Sequence, residues 1–325
     1  MSEWYEITPL DTLFFRGSEP LEAGQLTAEA LFPPPVSVIQ GALRTTVLRQ
    51  REIPFADYGK HGEPEEITAL IGASGNPAPF AITAILLQKN GKLYAPAPWA
   101  WFVDVSEKAD RGAEYAGREV LVVGRPDPVA VEKLGLVASS GSLPFVLAQH
   151  EAVSLGGSWV RMDALCKRPQ KLGEGDVLMP RELYMTESRT GIGLDTTKRT
   201  VNKGQLYSAG HIRLAEGVRL VIGIDRGLGL APSGVIQLGG ERRMSGYRKI
   251  DPVTVPTTDA APLFTSLAPV VANIESSVAV VAAGRPVSIA GWDMARRFHK
   301  PTENWYPAGS VFSSRISNQC VPLAR

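Results

Sequence analysis

The sequence is poor in the residues that metal centres and disulfide scaffolds require. Its 325 residues include only two cysteines, Cys166 and Cys320, and these form no C-x-x-C pair. The four histidines are scattered through the chain, as His61, His150, His211 and His299. Zinc sites draw on closely spaced cysteine and histidine ligands. The sequence therefore excludes a disulfide framework and predicts no metal site.

Long hydrophobic runs and targeting signals are also absent. No stretch reaches the ~18 apolar residues that a membrane-spanning helix needs. The opening MSEWYEITPLDTLFF carries early acids and no basic n-region, unlike a secretory signal. We therefore expect a soluble, cytoplasmic protein that has no membrane partner.

Net charge is nearly zero, at +1, so a site for nucleic acid must be a local basic strip. Between Arg181 and Lys249 there are twelve basic and six acidic residues, which leaves +6 there and −5 in the rest of the chain. This segregation favours a polyanion site in the second half. It fits an ordinary solvated face equally well.

The N-terminal third has the pattern of a strand, a helix and a hairpin. WYEITPLDTLFF alternates and is rich in aromatic and β-branched residues, which predicts a strand. Apolar residues recur at helical spacing from Val38 to Val47, with Ser37 as the expected N-cap. Asn90-Gly91 then joins two apolar runs, which is a strong hairpin signal. This order opens a ferredoxin-like unit.

The rest of the chain is less regular. Residues 57–76 are polar and acidic, which indicates a loop or insertion. TDAAPLFTSLAPVVANI has the composition of a helix, although two prolines interrupt it. The length and the 44% hydrophobic content predict two domains. We place them at residues 1–155 and 156–325.

The stretch ESRTGIGLDTTKRTVNKGQLYSAGHIRL, residues 187–214, looks at first like a phosphate cradle. A P-loop needs glycine before its lysine, yet Thr197 precedes Lys198. A dinucleotide fingerprint needs a third glycine where Thr196 stands, and a helix after it. The alternating QLYSAGHIRL predicts a strand instead. Both nucleotide-cofactor interpretations therefore fail.

What remains is a basic loop that leads into a strand. Lys198, Arg199 and Lys203 suit a phosphodiester backbone, and Tyr207 and His211 share a strand face on which RNA bases can stack. Packing or plain solvation of these two rings is equally consistent with the sequence. Tyr207 and His211 are also the one plausible acid–base pair for a metal-independent ribonuclease. No other catalytic constellation is present.

A second basic constellation is LGGERRMSGYRKIDP, residues 238–252. Its Gly239 and Gly240 allow sharp turns and close approach to a ligand. Basic residues interleaved with Tyr247 suit single-stranded RNA. Any exposed hairpin can show the same pattern.

Taken in order, five segments resemble one protein family. They are PLDTLFFRGSEP, FPPPVSVIQGALRT, the 187–214 stretch, LGGERR, and GWDMARR followed by KPTENWYPAGSVF. The family is the third subunit of the Cmr complex, a RAMP-superfamily protein of type III-B CRISPR effectors. RTGIGLD to LYS is the most specific piece. One departure is Arg242, which stands where the family's glycine-rich loop often has a further glycine.

The resemblance implies an α+β fold with two ferredoxin-like (RRM-like) RAMP domains and long insertions, the C-terminal domain carrying the glycine-rich loop. It implies a non-catalytic subunit that binds the 5′ tag of the crRNA. It also implies contacts with the large palm-domain (polymerase-like) subunit and the backbone RAMP subunit. No cofactor is carried over. Residues 57–157 match least and are expected to form family-variable insertions that contact neighbouring subunits.

The residues that we expect to contact RNA are Arg16, Lys198, Arg199, Lys203, Tyr207, Gly239, Gly240, Arg242, Arg243, Tyr247, Arg248 and Lys249. Arg44 is expected to be solvated or to face a partner. Two alternatives stay open: a metal-independent RAMP endoribonuclease that processes guide-RNA precursor, and a plain assembly subunit that does not touch RNA.

Overall fold

The structure is a computed structural model. It describes residues 2–17, 30–55, 57–58, 64–105, 115–122, 133, 151–167, 169–194, 200–256, 263–272, 280–293 and 298–323.

Residues 1–178 supply strands β1 (Glu3–Pro9), β2 (Ile82–Lys89), β3 (Lys92–Pro96), β4 (Trp101–Val105), β5 (Val120–Val122), β6 (Glu151–Ser154), β7 (Trp159–Arg161) and β8 (Val177–Leu178). The second half supplies β9 (Tyr184–Leu194), β10 (Val201–Leu214), β11 (Val218–Ile224), β12 (Ser233–Gln237), β13 (Met244–Ile250), β14 (Leu263–Ser266), β15 (Val270–Val271), β16 (Val280–Ala282), β17 (Val287–Ile289), β18 (Trp292–Asp293), β19 (Phe298–His299), β20 (Glu303–Tyr306), β21 (Val311–Phe312) and β22 (Cys320–Leu323). The helices within the described residues are α1 (Val36–Gln50), α2 (Glu65–Ile71), α3 (Met162–Lys167) and α4 (Pro180–Leu183). The fold is thus a mixture of several antiparallel sheets and a few helices. None of the helices so described is long and apolar enough to cross a membrane.

The chain forms two compact units, each discontinuous in sequence. The first unit contains Met1–Ile82, Leu183–Val253 and Ser288–Asn304, and the second contains Thr83–Glu182, Thr254–Val287 and Trp305–Arg325. These units do not follow the expected boundary between residues 155 and 156. The reason is that β1 pairs antiparallel with both β11 and β13, so the N-terminal strand lies between two strands that come from the second half of the chain.

The first unit is built on the antiparallel strands β12, β13, β1 and β11, in that order. Helix α1 presents an apolar stripe that includes Ile39, Leu43 and Val47. The side chain of Gln50, at the end of α1, donates to the hydroxyl of Tyr247 on β13 at 2.5 Å. A two-stranded ribbon of β9 and β10 completes this unit as a separate sheet.

The expected N-cap of α1 was wrong, and Arg44 has more contacts than a solvated side chain; its expected contact with a partner stays a prediction. Pro35, not Ser37, is the N-cap of α1, and no side chain caps its amide groups. Arg44 is not simply solvated: its guanidinium donates to the carbonyls of Ile71, Ala73 and Asn76, at 2.6, 3.1 and 3.0 Å. It therefore fastens the turn that follows α2, a helix in the segment predicted to be a loop.

The second unit contains the hairpin predicted at Asn90-Gly91. Both residues have positive φ, 51° and 76°, which is the conformation that a two-residue turn of this type requires. β3 pairs in turn with β7, and β7 with β8. Strands β5, β4 and β6 form a three-stranded sheet, and β16, β21, β14 and β22 form a four-stranded one.

The expected helix near residue 263 is replaced by strands. Phe264 on β14 pairs with Phe312 of β21 on one side and Pro322 of β22 on the other. Phe264, Phe312 and Cys320 form a buried cluster. The segment thus gains two strand partners and a core position, which outweigh its local helical composition.

Candidate nucleic-acid interface

The glycine-rich loop, residues 238–243, joins β12 to β13 in the first unit. Gly239 has φ +90°, and a Cβ there would lie 2.5 Å from the carbonyl oxygen of Phe14. The amide of Gly240 donates to that same oxygen at 2.9 Å. The two glycines therefore let the loop lie directly on the segment that follows β1. The close approach expected for a ligand is made to Phe14 of the same chain.

Arg242 occupies the position where a further glycine was expected, and its backbone shows why. Glu241 and Arg242 both adopt left-handed conformations, with φ 52° and 53°. This conformation costs a side-chain-bearing residue about 1 kcal/mol relative to glycine. Arg242 is exposed and makes no ion pair with any residue that the structure describes. The loop thus presents a guanidinium to solvent at a conformational cost.

Below the loop, three arginines converge on one carboxylate. Arg189 Nη2 lies 3.2 Å from Asp11 Oδ2, Arg213 Nη2 lies 3.2 Å from Asp11 Oδ1, and Arg243 Nη1 lies 2.8 Å from Asp11 Oδ2. We call Asp11, Glu187, Arg189, Arg213, Glu241 and Arg243 the Asp11 cluster. It joins the segment after β1, the β9–β10 ribbon and the glycine-rich loop.

Two further carboxylates, those of Glu187 and Glu241, accept hydrogen bonds from the same arginines. Glu187 accepts from Arg189 Nε at 2.9 Å and from Arg213 Nε at 2.6 Å. Glu241 accepts from Arg243 Nη2 at 2.9 Å. The hydrogen bonds from Arg213 and Arg189 hold the pKa of Glu187 below its usual range. For Asp11, slight burial raises the pKa, but the Thr12 amide and the arginines lower it more.

His211 lies beside this cluster in the core. Its side chain is 1% exposed, with Nδ1 3.1 Å from Thr12 Oγ1 and Nε2 3.5 Å from Glu241 Oε2. Burial lowers the pKa of the imidazole, an effect that Glu241 opposes. Burial thus favours the neutral imidazole and keeps the ring out of reach of RNA bases. The expectation of an exposed stacking or acid–base group at His211 was wrong, because the strand is buried on both faces at this point.

Arg248 and Lys249 do not form one patch with the loop. They are neighbours on β13, so their side chains leave the sheet on opposite faces. Arg248 Nη2 pairs with Glu6 Oε1 at 3.0 Å, and Lys249 Nζ with Glu3 Oε1 at 2.5 Å. Burial raises the pKa of Glu3, but hydrogen bonds from Lys249 and Tyr5 lower it more. Both cations therefore fasten β13 to acids of β1.

Tyr247 is in the core rather than on the surface. It is 4% exposed, and its ring meets that of Tyr5 edge to face, with centroids 5.9 Å apart. Its hydroxyl accepts from Gln50. The structure therefore gives this tyrosine a packing role and leaves no open ring face for a base.

The remaining expected residues fall into two groups. Arg16 is exposed, two residues beyond Phe14, where its backbone bridges to Ala30. Lys198 and Arg199 lie outside the described residues, as do the side chains of Lys203 and Tyr207 on β10. Those four residues stay predictions.

Sequence reasoning missed the hub of the cluster. Arg189 and Arg213 lie in the basic segment but are not among the expected RNA contacts, and neither is Asp11. The available signal was that Asp11 lies in the family-like segment PLDTLFFRGSEP and that both arginines lie in the family-specific 187–214 stretch. In the described part of the chain, no group of three or more histidines, cysteines and acids is placed to hold a metal ion.

Comparison with known proteins decides the family. The model of the CRISPR-associated protein (Cas_Cmr3) family matches residues 5–266. This chain belongs to that family. The Cas_Cmr3 match takes in most of β1, the β9–β10 ribbon and the glycine-rich loop. It confirms the resemblance to the third Cmr subunit that the sequence showed.

Two solved structures share the fold of this Cas_Cmr3 chain. One is a cryo-EM structure of the type III-B Cmr-beta complex bound to cognate target RNA and AMPPnP, at 18% identity and a TM-score of 0.53, covering 95% of this chain and 85% of that one. The other is type III-B Cmr-beta bound to cognate target RNA, at 21% identity and a TM-score of 0.53, covering 95% and 86%. None of the curated proteins shows a significant match.

Proposed function

We propose that this subunit is non-catalytic, holds the 5′ tag of the crRNA, and bridges the large palm-domain subunit to the backbone RAMP subunit of the Cmr complex. The observation that carries the proposal is the Cas_Cmr3 match across residues 5–266. We further propose that the units of this fold derive from two ferredoxin-like RAMP domains with insertions.

The first unit offers a surface for that RNA. Phe14 accepts a hydrogen bond from Gly240 of the glycine-rich loop through its carbonyl. Arg16, two residues after Phe14, and Arg242, two residues after Gly240, are both exposed. Guanidinium groups bind phosphate oxygens with two parallel hydrogen bonds. We therefore propose Arg16 and Arg242 as backbone contacts, together with the basic loop at Lys198, Arg199 and Lys203.

The structure limits the roles that we propose for the other expected residues. Gly239 and Gly240 shape the loop, and Arg243 belongs to the Asp11 cluster. Arg248 and Lys249 contribute positive potential while they are paired with acids. Tyr207 is the stacking candidate that remains.

The geometry around His211 supports a non-catalytic subunit. A general base must come within hydrogen-bond reach of the RNA 2′-hydroxyl. His211 is buried, and its two ring nitrogens lie beside Thr12 and Glu241. Purified protein incubated with repeat RNA in the absence of metal is expected to leave the RNA intact. Cleavage that is lost in His211→Ala would establish the endoribonuclease alternative instead.

Binding is tested with crRNA that carries the natural 5′ tag and with crRNA in which the tag is scrambled. Affinity is expected to fall with salt, because counterions leave the phosphates on binding. Arg242→Gln is expected to weaken binding and to flatten the slope of log affinity against log salt by about 0.7. Arg226→Gln, which removes an exposed arginine elsewhere in the first unit, is the control. Equal slopes for the two variants would contradict the proposed contact.

A further inference from the structure

The Asp11 cluster has the construction of a phosphate site that a carboxylate of the same chain occupies. We propose that Arg189, Arg213 and Arg243 bind one phosphodiester group, and that the side chain of Asp11 is its resident, displaceable competitor. The identity of the phosphodiester as guide RNA rests on the proposed function. The anion site itself rests on geometry alone.

The contacts of Asp11 are those that a bound phosphate would make. Its two oxygens receive four contacts from three guanidiniums: 3.3 and 3.2 Å from Arg189, 3.2 Å from Arg213 and 2.8 Å from Arg243. Planar guanidiniums recognise carboxylates and phosphates with the same paired N–H groups. A ligand with phosphate oxygens can therefore replace the carboxylate without a new arrangement of donors.

The three arginines stay in position without Asp11. Glu187 binds the Nε atoms of Arg189 and Arg213, while Glu241 binds Arg243. Arg213 and Arg243 use different N–H groups for the outer acids and for Asp11, while Arg189 Nη2 faces both Asp11 and Glu187, the latter at 2.9 Å. Binding groups that are fixed in advance lose less conformational freedom when a ligand arrives. The outer acids thus make the site pre-organised.

The exchange of Asp11 for a phosphodiester leaves the net charge of the site unchanged. With Asp11 turned away, three arginines face two glutamates, so the site carries one net positive charge. A phosphodiester carries one negative charge and restores the balance. Asp11 is 45% exposed and lies in a bend directly after β1, so its carboxylate can turn into water. The exchange is therefore neutral at the arginines.

Competition from Asp11 lowers the affinity of the site for polyanions that contact only the three arginines. A single phosphate must compete with a carboxylate that is always present, so it binds weakly. A guide RNA that also contacts Arg16 and the basic loop supplies the additional free energy that displaces Asp11. The Asp11 side chain thus sets a threshold that favours RNA engaging several contacts at once.

The test compares two charge-matched variants. Asp11→Asn removes the competitor and keeps its shape. Asp163→Asn removes another ion-paired aspartate, the partner of Arg161 in the second unit, and changes the net charge equally. We expect Asp11→Asn to bind crRNA roughly tenfold more tightly, the equivalent of about one charge-assisted hydrogen bond. We also expect inorganic phosphate to raise its melting temperature above that in chloride of matched ionic strength. Asp163→Asn is expected to match the wild type in both assays.

Two arginine variants locate the effect. Arg189→Gln in the Asp11→Asn background is expected to abolish both gains. Arg213→Gln is made in the wild-type background and keeps Asp11. It therefore tests the site even if Asp11→Asn fails to fold. It is expected to weaken crRNA binding several-fold relative to Arg226→Gln.

The outcomes separate this inference from the proposed function. If Asp11→Asn and Asp163→Asn behave alike while the wild type binds crRNA, the phosphate site is refuted and the proposed function stands. If no variant binds crRNA but phosphate protects Asp11→Asn alone, the anion site is upheld and the RNA-binding function is refuted. If Arg213→Gln binds crRNA as Arg226→Gln does, the site is likewise refuted.

Discussion

The rings of Phe14 and His211 are stacked, with 4.8 Å between their centroids and 19° between their planes. This contact joins strand β10 to the segment after β1. The carbonyl of the same Phe14 accepts from Gly240, so one residue holds the ribbon and the glycine-rich loop together. The candidate interface is thereby built on a buried support rather than on free loops.

Replacing His211 tests this support. His211→Phe retains a ring against Phe14 but leaves the buried hydroxyl of Thr12 without its partner. We expect a loss of about 1–3 kcal/mol in the free energy of unfolding, measured by urea denaturation. Thr12→Val in the same background removes the orphaned hydroxyl and is expected to recover part of the loss. A single variant as stable as the wild type would show that the hydrogen bond does not matter.

The pKa of His211 predicts how stability depends on pH. Burial lowers that pKa in the folded chain, so the unfolded chain takes up the proton at the higher pH. The stability contributed by the neutral ring is complete above about pH 6.5, and it is lost as the pH falls through the lower folded-state value. Denaturation between pH 8 and pH 5 is expected to show a decline that His211→Phe lacks. An equal decline in both proteins would contradict the assignment.

The acids of the Asp11 cluster predict a second decline at lower pH. The pKa values of Asp11 and Glu187 are both lowered in the fold. The stability from these carboxylates is present above their unfolded values near 4 and is lost as the pH falls further. Asp11→Asn is expected to be less sensitive than the wild type between pH 5 and pH 3. Asp163→Asn removes a carboxylate whose pKa is also lowered, by Arg161 in the second unit, so it shows how much of the change comes from the loss of any one ion-paired carboxylate.

Gly239 predicts a sharp difference between two glycines of one hairpin. Gly239→Ala combines a positive φ with a contact 2.5 Å from the Phe14 oxygen, so we expect a loss of about 2 kcal/mol or more. Gly246 on β13 has no positive φ, and a Cβ there would meet nothing nearer than 3.9 Å. Gly246→Ala is expected to change the melting temperature little. Comparable losses would mean that the loop does not depend on its contact with Phe14.

Arg242 allows backbone cost and charge to be separated. Arg242→Gly removes the left-handed penalty and is expected to keep or raise stability by up to about 1 kcal/mol. Arg242→Gln keeps the penalty. Both variants are expected to bind crRNA more weakly, since both lack the guanidinium. If Arg242→Gly binds as tightly as the wild type, the side chain does not contact RNA.

Local signals in the sequence predicted local structure well. Strand β1, helix α1 and the Asn90-Gly91 hairpin were each visible in residues that lie close together in the chain, as were the family motifs. The Asp11 cluster was not visible, since Asp11 and its arginine partners are separated by 178 to 232 positions. Strand β14 was missed for the same reason: its partners β21 and β22 come much later in the chain.

Burial explains the failures at individual site residues. The sequence predicted that Tyr247 and His211 are exposed and can stack on bases. A strand with aromatic and polar residues has the same sequence pattern whether the rest of the protein covers one of its faces or both. Arg248 and Lys249 looked like one basic cluster, yet adjacent strand residues point to opposite faces. Their acids, Glu6 and Glu3, lie on a strand more than 240 residues away.

Crosslinking in the assembled effector complex tests directly whether this subunit holds the 5′ tag of the crRNA. A crRNA that carries 4-thiouridine within its 5′ tag is irradiated in the complex, and the crosslinked peptides are identified by mass spectrometry. We expect the tag to crosslink to this subunit within residues 10–16, 195–207 or 238–243. Crosslinks from the tag that fall only on other subunits, or only on the second unit of this chain, would contradict it and would favour a plain assembly role.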